Sequence, residues 1–179
     1  SNVVNFLPVW KADLPEFPEQ KFCFPPVLEI LDFVYANKFT HIHVATPGPV
    51  GLAAFAVARI LRLPIVSTYH TQVPQYVRCF TESQGIESVF WQLIVWFYDN
   101  MDAVYVPSEF TRNELLERGL EPEKVRVYPR GVDLERFDTP ARSDILNRQY
   151  GATPGRTLLY VGRVQQEKNL DVLVAAFKD

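Results

Sequence analysis

Apolar and polar positions fall into short blocks along this chain, and the blocks predict a regular succession of strands and helices. Residues 3–7 read as a short strand. Pro8, Pro15, Pro18, Pro25 and Pro26 then punctuate a long stretch. Residues 8–25 are therefore expected to run over the surface, with no helix and no central strand. Pro26 is placed to open a helix, in which Val27, Leu28, Ile30, Leu31, Val34 and Tyr35 fall at helical spacing. Residues 41–45 predict a strand, Pro47-Gly48-Pro49-Val50-Gly51 a tight turn, and residues 52–63 an alanine-rich helix closed by Pro64. A strand over 65–69, a long helix over 86–101 and a strand over 103–106 follow. Ser108 can cap a helix over 109–118, with Gly119 at its C-cap. Thr111 stands where a full capping box would carry Glu. Residues 125–128 form another short strand, ended by Pro129.

Strands alternating with helices imply a parallel sheet covered by helices, a doubly wound α/β domain. Residues 129–140 break that rhythm and read as a linker. A polar helix over 143–150, a fresh strand over 157–161, a turn at Gly162 and a helix over 170–177 complete the chain. One βα unit cannot bury its own apolar faces, so the tail reads as the opening of a second domain. The head offers only one strand where a doubly wound sheet has several. The expectation is a fragment cut at both ends. Its parts are a first domain over 1–138, a linker and helix over 139–156, and the start of a second domain over 157–179.

Composition narrows the field. The 179 residues hold 18 Lys+Arg against 21 Asp+Glu, a net charge of −3, with 47% apolar residues. That excludes disorder, and an acidic balance argues against nucleic acid as a partner. Cys23 and Cys79 have no metal-ligand spacing. No apolar run reaches the roughly 18–20 residues of a membrane-spanning helix, and no signal peptide is visible. A soluble intracellular chain is expected.

Ligands of open parallel sheets bind outside the carboxyl ends of the strands. His70 follows the strand 65–69 directly, where an imidazole can bond a substrate hydroxyl, move a proton, or merely cap a loop. His41 and His43 share one strand face and lack a third metal ligand nearby, so a structural role is favoured. Gly48 and Gly51 lie in a turn that either presents backbone N–H groups to a sugar or an anion, or only packs helix on sheet. Gly162-Arg163-Val164-Gln165-Gln166-Glu167-Lys168-Asn169 sets two cations just before a helix N-terminus. Such a cradle suits a departing pyrophosphate, although a solvated turn would look the same. No G-x-G-x-x-G, P-loop or D-x-D occurs, so a dehydrogenase, a P-loop NTPase and a metal-chelated diphosphate all lose support. The aromatic helix 86–101 reads as core, with a lipid-facing patch as the alternative.

These pieces, in this order, resemble the group-1 (family 4) retaining glycosyltransferases of the GT-B fold. The resemblance rests on His41-Ile42-His43 with Thr46-Pro47-Gly48-Pro49-Val50-Gly51, Tyr69-His70-Thr71, Val106-Pro107-Ser108, Pro129-Arg130-Gly131-Val132-Asp133 with Phe137, and Tyr160-Val161-Gly162-Arg163 with Glu167-Lys168-Asn169. GDP-mannose-dependent mannosyltransferases and sulfoquinovosyl-diacylglycerol synthases are the most similar groups. The resemblance implies two Rossmann-like domains, the first taking a lipid or glycan acceptor and the second a nucleotide-diphosphate sugar. His70 would contact the transferred sugar, with Thr71, Gly48 and Gly51 on the acceptor and sugar side. Gly162, Arg163 and Lys168 would hold the donor diphosphate, with no metal and no further cofactor. Arg130 stands where many relatives carry Asn and receives no role.

The family's glycine-rich loop after its first strand and its E-x7-E segment are both missing from this stretch. The piece alone is therefore expected to be inactive, and its strand 41–45 to expose an edge open to self-association. Peripheral contact with the inner face of a membrane stays open beside a cytoplasmic location. A nucleotide-sugar epimerase and a non-catalytic carbohydrate- or nucleotide-binding module are the alternatives. The first lacks a pair of acid/base carboxylates, and the second would not need both His70 and the two cations.

Overall fold

The computed structural model describes residues 3–13, 21–75, 77, 83–137, 145–153, 155–164 and 168–178. The chain divides into two units, Ser1–Arg130 and Gly131–Asp179. Cys79, Pro15, Pro18 and the Gln165-Gln166-Glu167 part of the cationic loop lie outside the described residues.

The first unit departs at its start from the strand expected over residues 3–7. Residues 3–7 form no strand; Phe6 instead packs edge-on against Phe33, with ring centroids 5.5 Å apart. The pairing comes later, where strand β1 (Trp10–Asp13) runs antiparallel to β2 (Lys21–Phe24), Trp10 facing Phe24 and Asp13 facing Lys21. Prolines do not prevent this ribbon because Pro8 and Pro25 flank the paired residues, and every ladder position keeps its N–H. The ribbon is still superficial, as its proline-rich surroundings imply, with none of its residues buried.

Helix α1 (Val27–Ala36) follows Pro26 as expected. Four parallel strands then appear: β3 (Ile42–Val44), β4 (Ile65–Thr68), β5 (Ala103–Val106) and β6 (Val125–Val127). They lie in the order β3-β4-β5-β6, and α2 (Pro49–Leu61), α3 (Gln84–Asp99) and α4 (Glu109–Glu117) connect them. This Rossmann-like sheet advances in one direction, as one wing of a doubly wound sheet does. Ile42 registers with Ile65, Val66 with Ala103 and Val104 with Val125.

The core lies between this sheet and the aromatic helix. Val44, Ile65, Val104, Val106 and Val125 meet Trp91, Ile94, Phe97 and Tyr98 of α3. Burial at 91, 94, 97 and 98 follows one helical stripe. A second stripe of α3, Ile86, Val89, Leu93 and Trp96, stays exposed. Among the described residues no helix is long and apolar enough to cross a membrane.

At the amino end of the sheet, charged groups tie the strands together. The Asp102 carboxylate accepts from the Ile65 N–H at 2.7 Å. Lys124 donates to the Asp99 carbonyl at 2.7 Å and pairs with the Glu121 carboxylate at 3.2 Å. The Asp99/Asp102 pair thus works in strand closure. His43 bonds the Thr68 hydroxyl at 2.8 Å and His41 the Thr40 hydroxyl at 2.9 Å, so both histidines are structurally engaged.

Helix α2 starts at Pro49, three residues earlier than the sequence pattern suggests, with Gly48 as its N-cap. Gly51 is therefore a helical residue rather than part of an open turn. A Cβ there would sit 1.9 Å from the Thr46 carbonyl oxygen and 2.9 Å from Val44 Cγ1. Close approach of helix to strand is what this glycine permits. Ser108 caps α4 as expected, its hydroxyl accepting from the Thr111 N–H at 3.2 Å, and Gly119 takes φ 101° just past the helix.

The second unit contains α5 (Ile145–Tyr150) and α6 (Leu170–Lys178). The strand expected over 157–161 does not form. An apolar run becomes a strand only beside a ladder partner, and no other extended segment is paired among the described residues of this unit. Instead the chain doubles back, with the Tyr160 hydroxyl donating to the Arg163 carbonyl at 2.9 Å.

Gly51→Ala is expected to lower unfolding stability by about 1–3 kcal/mol, because backbone rather than a yielding side chain opposes the added methyl. Gly48→Ala, whose Cβ would find only Thr46 Oγ1 at 3.9 Å, is expected to cost less than about 1 kcal/mol. Urea denaturation of the two variants separates a packing glycine from a capping one; equal losses would contradict this reading.

Candidate functional site

Along β4 and its continuation burial alternates: Ile65, Ser67 and Tyr69 are buried, Val66 and Thr68 half-buried, and His70 exposed. This is strand periodicity, which sends Thr68 and His70 to the side opposite Ser67 and Tyr69. Three contacts hold the inward side. The Ser67 hydroxyl donates to the Val44 carbonyl at 2.6 Å. The Tyr69 N–H donates to the Tyr105 carbonyl at 2.9 Å, extending the ladder past β4. The Tyr69 ring packs perpendicular to Tyr98 of α3, with centroids 5.2 Å apart. Burial raises the pKa of both phenols well above the ordinary tyrosine range, and the Glu114 carboxylate pushes Tyr69 up further.

His70 lines a cavity of about 180 Å³ at the carboxyl ends of β4, β5 and β6. Thr68, His70 and Arg130 supply its charged and small polar groups. Tyr105, Val106, Pro107 and Tyr128 make the walls. Tyr105 and Tyr128 meet edge-on at 6.3 Å. Among the described residues neither the His70 nor the Arg130 side chain has a hydrogen bond or an ion pair. No described lining residue carries a carboxylate.

Thr71, Gly48 and Gly51 are not among the described lining residues of that cavity. Thr71 is exposed one residue beyond His70. The loop that carries it is tethered, because Gln72 and Gln75 both donate to the Glu114 carboxylate of α4, at 3.1 and 3.0 Å. Pro74 of the same loop is fully buried. In the second unit Gly162, Arg163 and Lys168 are all exposed, and Asn169 takes φ 48° before α6 begins. A Cβ on Gly162 would crowd the Tyr160 hydroxyl at 2.5 Å.

Sequence reasoning passed over two features. Arg130 read as linker, yet it follows β6 just as His70 follows β4, and the carboxyl-end rule applies equally to both. Glu114 drew no reading from the sequence, since nothing local signals its two amide partners. Among the described residues no group of three or more His, Cys, Asp or Glu is placed to hold a metal ion.

A Rossmann-like parallel sheet with a cavity at the carboxyl ends of its strands defines a doubly wound α/β protein. Comparison with known proteins makes the class specific. The family model of Glycosyltransferase Family 4 matches residues 2–136, and the chain belongs to that family. It is 31% identical over 169 residues to an alpha-monoglucosyldiacylglycerol synthase of Streptococcus pneumoniae, covering 91% of this chain and 38% of that protein. It is 33% identical to a sulfoquinovosyl transferase of Arabidopsis thaliana, over 74% of this chain and 26% of the other. A GDP-mannose-dependent alpha-mannosyltransferase of Mycobacterium tuberculosis is 32% identical, over 74% and 34% of the two chains. The chain thus spans about a third of the length of these relatives.

Glu114→Ala is expected to loosen the loop after His70. Amide exchange at Gln72–Gln75 should speed up by roughly tenfold, from the loss of two bonds to a charged acceptor. Exchange in β5 should stay unchanged. Equal rates in the two proteins would show that the tether is not what holds the loop.

The two buried phenols set a second expectation. Their pKa values are raised in the folded protein, so folding favours the neutral ring. Their contribution to stability is whole below about pH 10, where unfolded tyrosine also stays neutral, and is lost as pH climbs above it. Absorbance at 295 nm should therefore show Tyr69 and Tyr98 ionising only as the fold is lost, and their ionisation in a still folded protein would contradict this.

Proposed function

We propose that the protein transfers a sugar from a nucleotide-diphosphate sugar to a lipid or glycan acceptor with retention of anomeric configuration. The observation that carries this is the position of His70, without a side-chain partner among the described residues, in a cavity at the carboxyl end of a parallel sheet, in a chain of family 4. In this reading His70 bonds a hydroxyl of the transferred ring. Thr71, Gly48 and Gly51 flank the acceptor and sugar side, Gly51 by seating α2 rather than by touching ligand. Gly162, Arg163 and Lys168 hold the donor diphosphate with no metal and no added cofactor. Residues 1–138 belong to the acceptor-side domain, 139–156 to the connection, and 157–179 to the start of the donor domain.

The bond between the sugar's anomeric carbon and its phosphate oxygen breaks, and its electron pair leaves with the diphosphate. An acceptor hydroxyl forms the new bond on the same face and gives its proton to the departing phosphate. Arg163 and Lys168 stabilise the charge that develops there, the kind of electrostatic assistance that matters most in such steps.

The pneumococcal relative is named for a glucosyldiacylglycerol, which supports a lipid acceptor. The exposed stripe Ile86, Val89, Leu93 and Trp96 supports peripheral contact with the inner face of a membrane from the cytoplasm. Strand β3 ends the described sheet, which supports self-association along its outer edge.

In the full-length protein, Lys168→Ala is expected to reduce turnover by about a hundredfold, with donor hydrolysis and glycoside formation measured together. The 179-residue chain alone is expected to form no glycoside. Unchanged turnover in the Lys168 variant, or transfer by the isolated chain, would refute the respective part of the reading.

A further inference from the structure

We infer that the cavity beside His70 is an oxyanion subsite, in which Arg130 and His70 together take a phosphate or sulfonate group carried by the sugar or the acceptor. What carries the group rests on the transferase reading; its binding rests on this unit alone. Three observations support it. First, the residues that line the cavity bring a guanidinium, an imidazole and the hydroxyls of Thr68, Tyr105 and Tyr128, with no carboxylate among the described lining residues. The guanidinium, the imidazole and the two phenols can each donate a hydrogen bond, the Thr68 hydroxyl being shared with His43, and a fully deprotonated oxyanion only accepts. Second, neither the guanidinium nor the imidazole has a hydrogen bond or an ion pair elsewhere among the described residues. An arginine kept only for stability would be expected to find a carboxylate, as Arg112 finds Glu109 at 3.9 Å and Lys124 finds Glu121 at 3.2 Å.

Third, the spacing suits one tetrahedral group. Arg130 follows β6 and His70 follows β4, next-but-one strands that lie roughly 9–10 Å apart. The end of β5, Tyr105 to Pro107, floors the gap between them. A guanidinium reaches across such a gap and offers two parallel N–H groups to two oxygens of one phosphate. The volume of about 180 Å³ holds that group with a few attached carbons, and the tyrosine walls suit the C–H face of a sugar or a short polyol.

Titration calorimetry of the 179-residue chain with inorganic phosphate, glucose 6-phosphate, glycerol 3-phosphate and uncharged glucose tests this. The phosphates are expected to bind in the millimolar range, and Arg130→Gln to weaken them by about tenfold or more. Arg130→Lys should recover part of the loss, since charge returns without the fork. Glucose binding should not respond. Arg126→Gln, on the exposed side of β6 and outside the cavity, should leave all four ligands unchanged. Tighter glucose 6-phosphate places the anion on the transferred sugar, and tighter glycerol 3-phosphate places it on the acceptor; either supports the subsite. Failure of all phosphates to bind, insensitivity to Arg130→Gln, or an equal loss in Arg126→Gln overturns it. If the full-length protein binds the phosphate ester through Arg130 but forms no glycoside, the transferase reading fails and the subsite stands.

Discussion

The perpendicular contact between Tyr69 and Tyr98 decides which way the end of β4 faces, and the functional side of the molecule follows from it. A strand slipped by one residue would turn the Tyr69 ring to solvent and the His70 imidazole into the core. Full burial of an aromatic ring is worth about 1.5–3 kcal/mol, and the edge-on pair adds about 0.5–1.5 kcal/mol. A buried imidazole would have to find new polar partners in a wall made of Val104, Val106 and Ile94. Register is therefore fixed by the apolar side, and the placement of His70 is a by-product of packing. The same alternation sets Thr68 beside it, where the hydroxyl bridges to His43 of β3 at 2.8 Å.

Much of this was legible in the residues because it depends on local blocks. The runs that become β3, β4, β5 and β6 are short, apolar and bounded by Pro, Gly or charged residues, so their strand character did not need a partner to be recognised. His70 was legible for the same reason, as the first residue past such a run. Misreadings arose where the outcome depends on something distant. The run 157–161 is as apolar as any strand in the first unit, yet composition cannot say whether a neighbour exists to share its hydrogen bonds. The prolines around β1 and β2 exclude helix and central strand only, and a superficial ribbon stays open to this stretch because Pro8 and Pro25 occupy no ladder position. The tether of Gln72 and Gln75 to Glu114 spans 42 and 39 residues, and no local pattern announces it. Gly51 was misplaced for a subtler reason: Pro47-Gly48-Pro49 reads as a turn, although proline is also well suited to the first position of a helix.

The exposed stripe on α3 shows how one helix can satisfy two demands. Its buried side is set by Trp91, Ile94, Phe97 and Tyr98, and Arg118 lies over the Trp91 ring at 4.2 Å. A helix that is apolar nearly all round would ordinarily be enclosed on both sides. Here enclosure is one-sided among the described residues, so Ile86, Val89, Leu93 and Trp96 form a continuous apolar row at helical spacing. Scattered exposed apolar residues need no explanation, but a contiguous row does. A lipid surface would cover it without requiring any change in the core beneath.

Charge is sorted between the two ends of the sheet. At the amino end, carboxylates serve the fold: Asp102 takes the free N–H of Ile65, and Asp99 with Glu121 surrounds Lys124. Burial works against the Lys124 ammonium, yet the Glu121 bond and the Asp99 charge still hold its pKa above the ordinary lysine value. At the carboxyl end the arrangement is reversed. Glu114, which holds the loop after His70, is occupied by two glutamine amides, and no carboxylate lies among the described residues that line the cavity. A free carboxylate there would pair with Arg130 and repel any incoming phosphate. With no carboxylate among the described lining residues, an oxyanion in the cavity meets no carboxylate competing for the guanidinium and loses none of its attraction to a neighbouring negative charge.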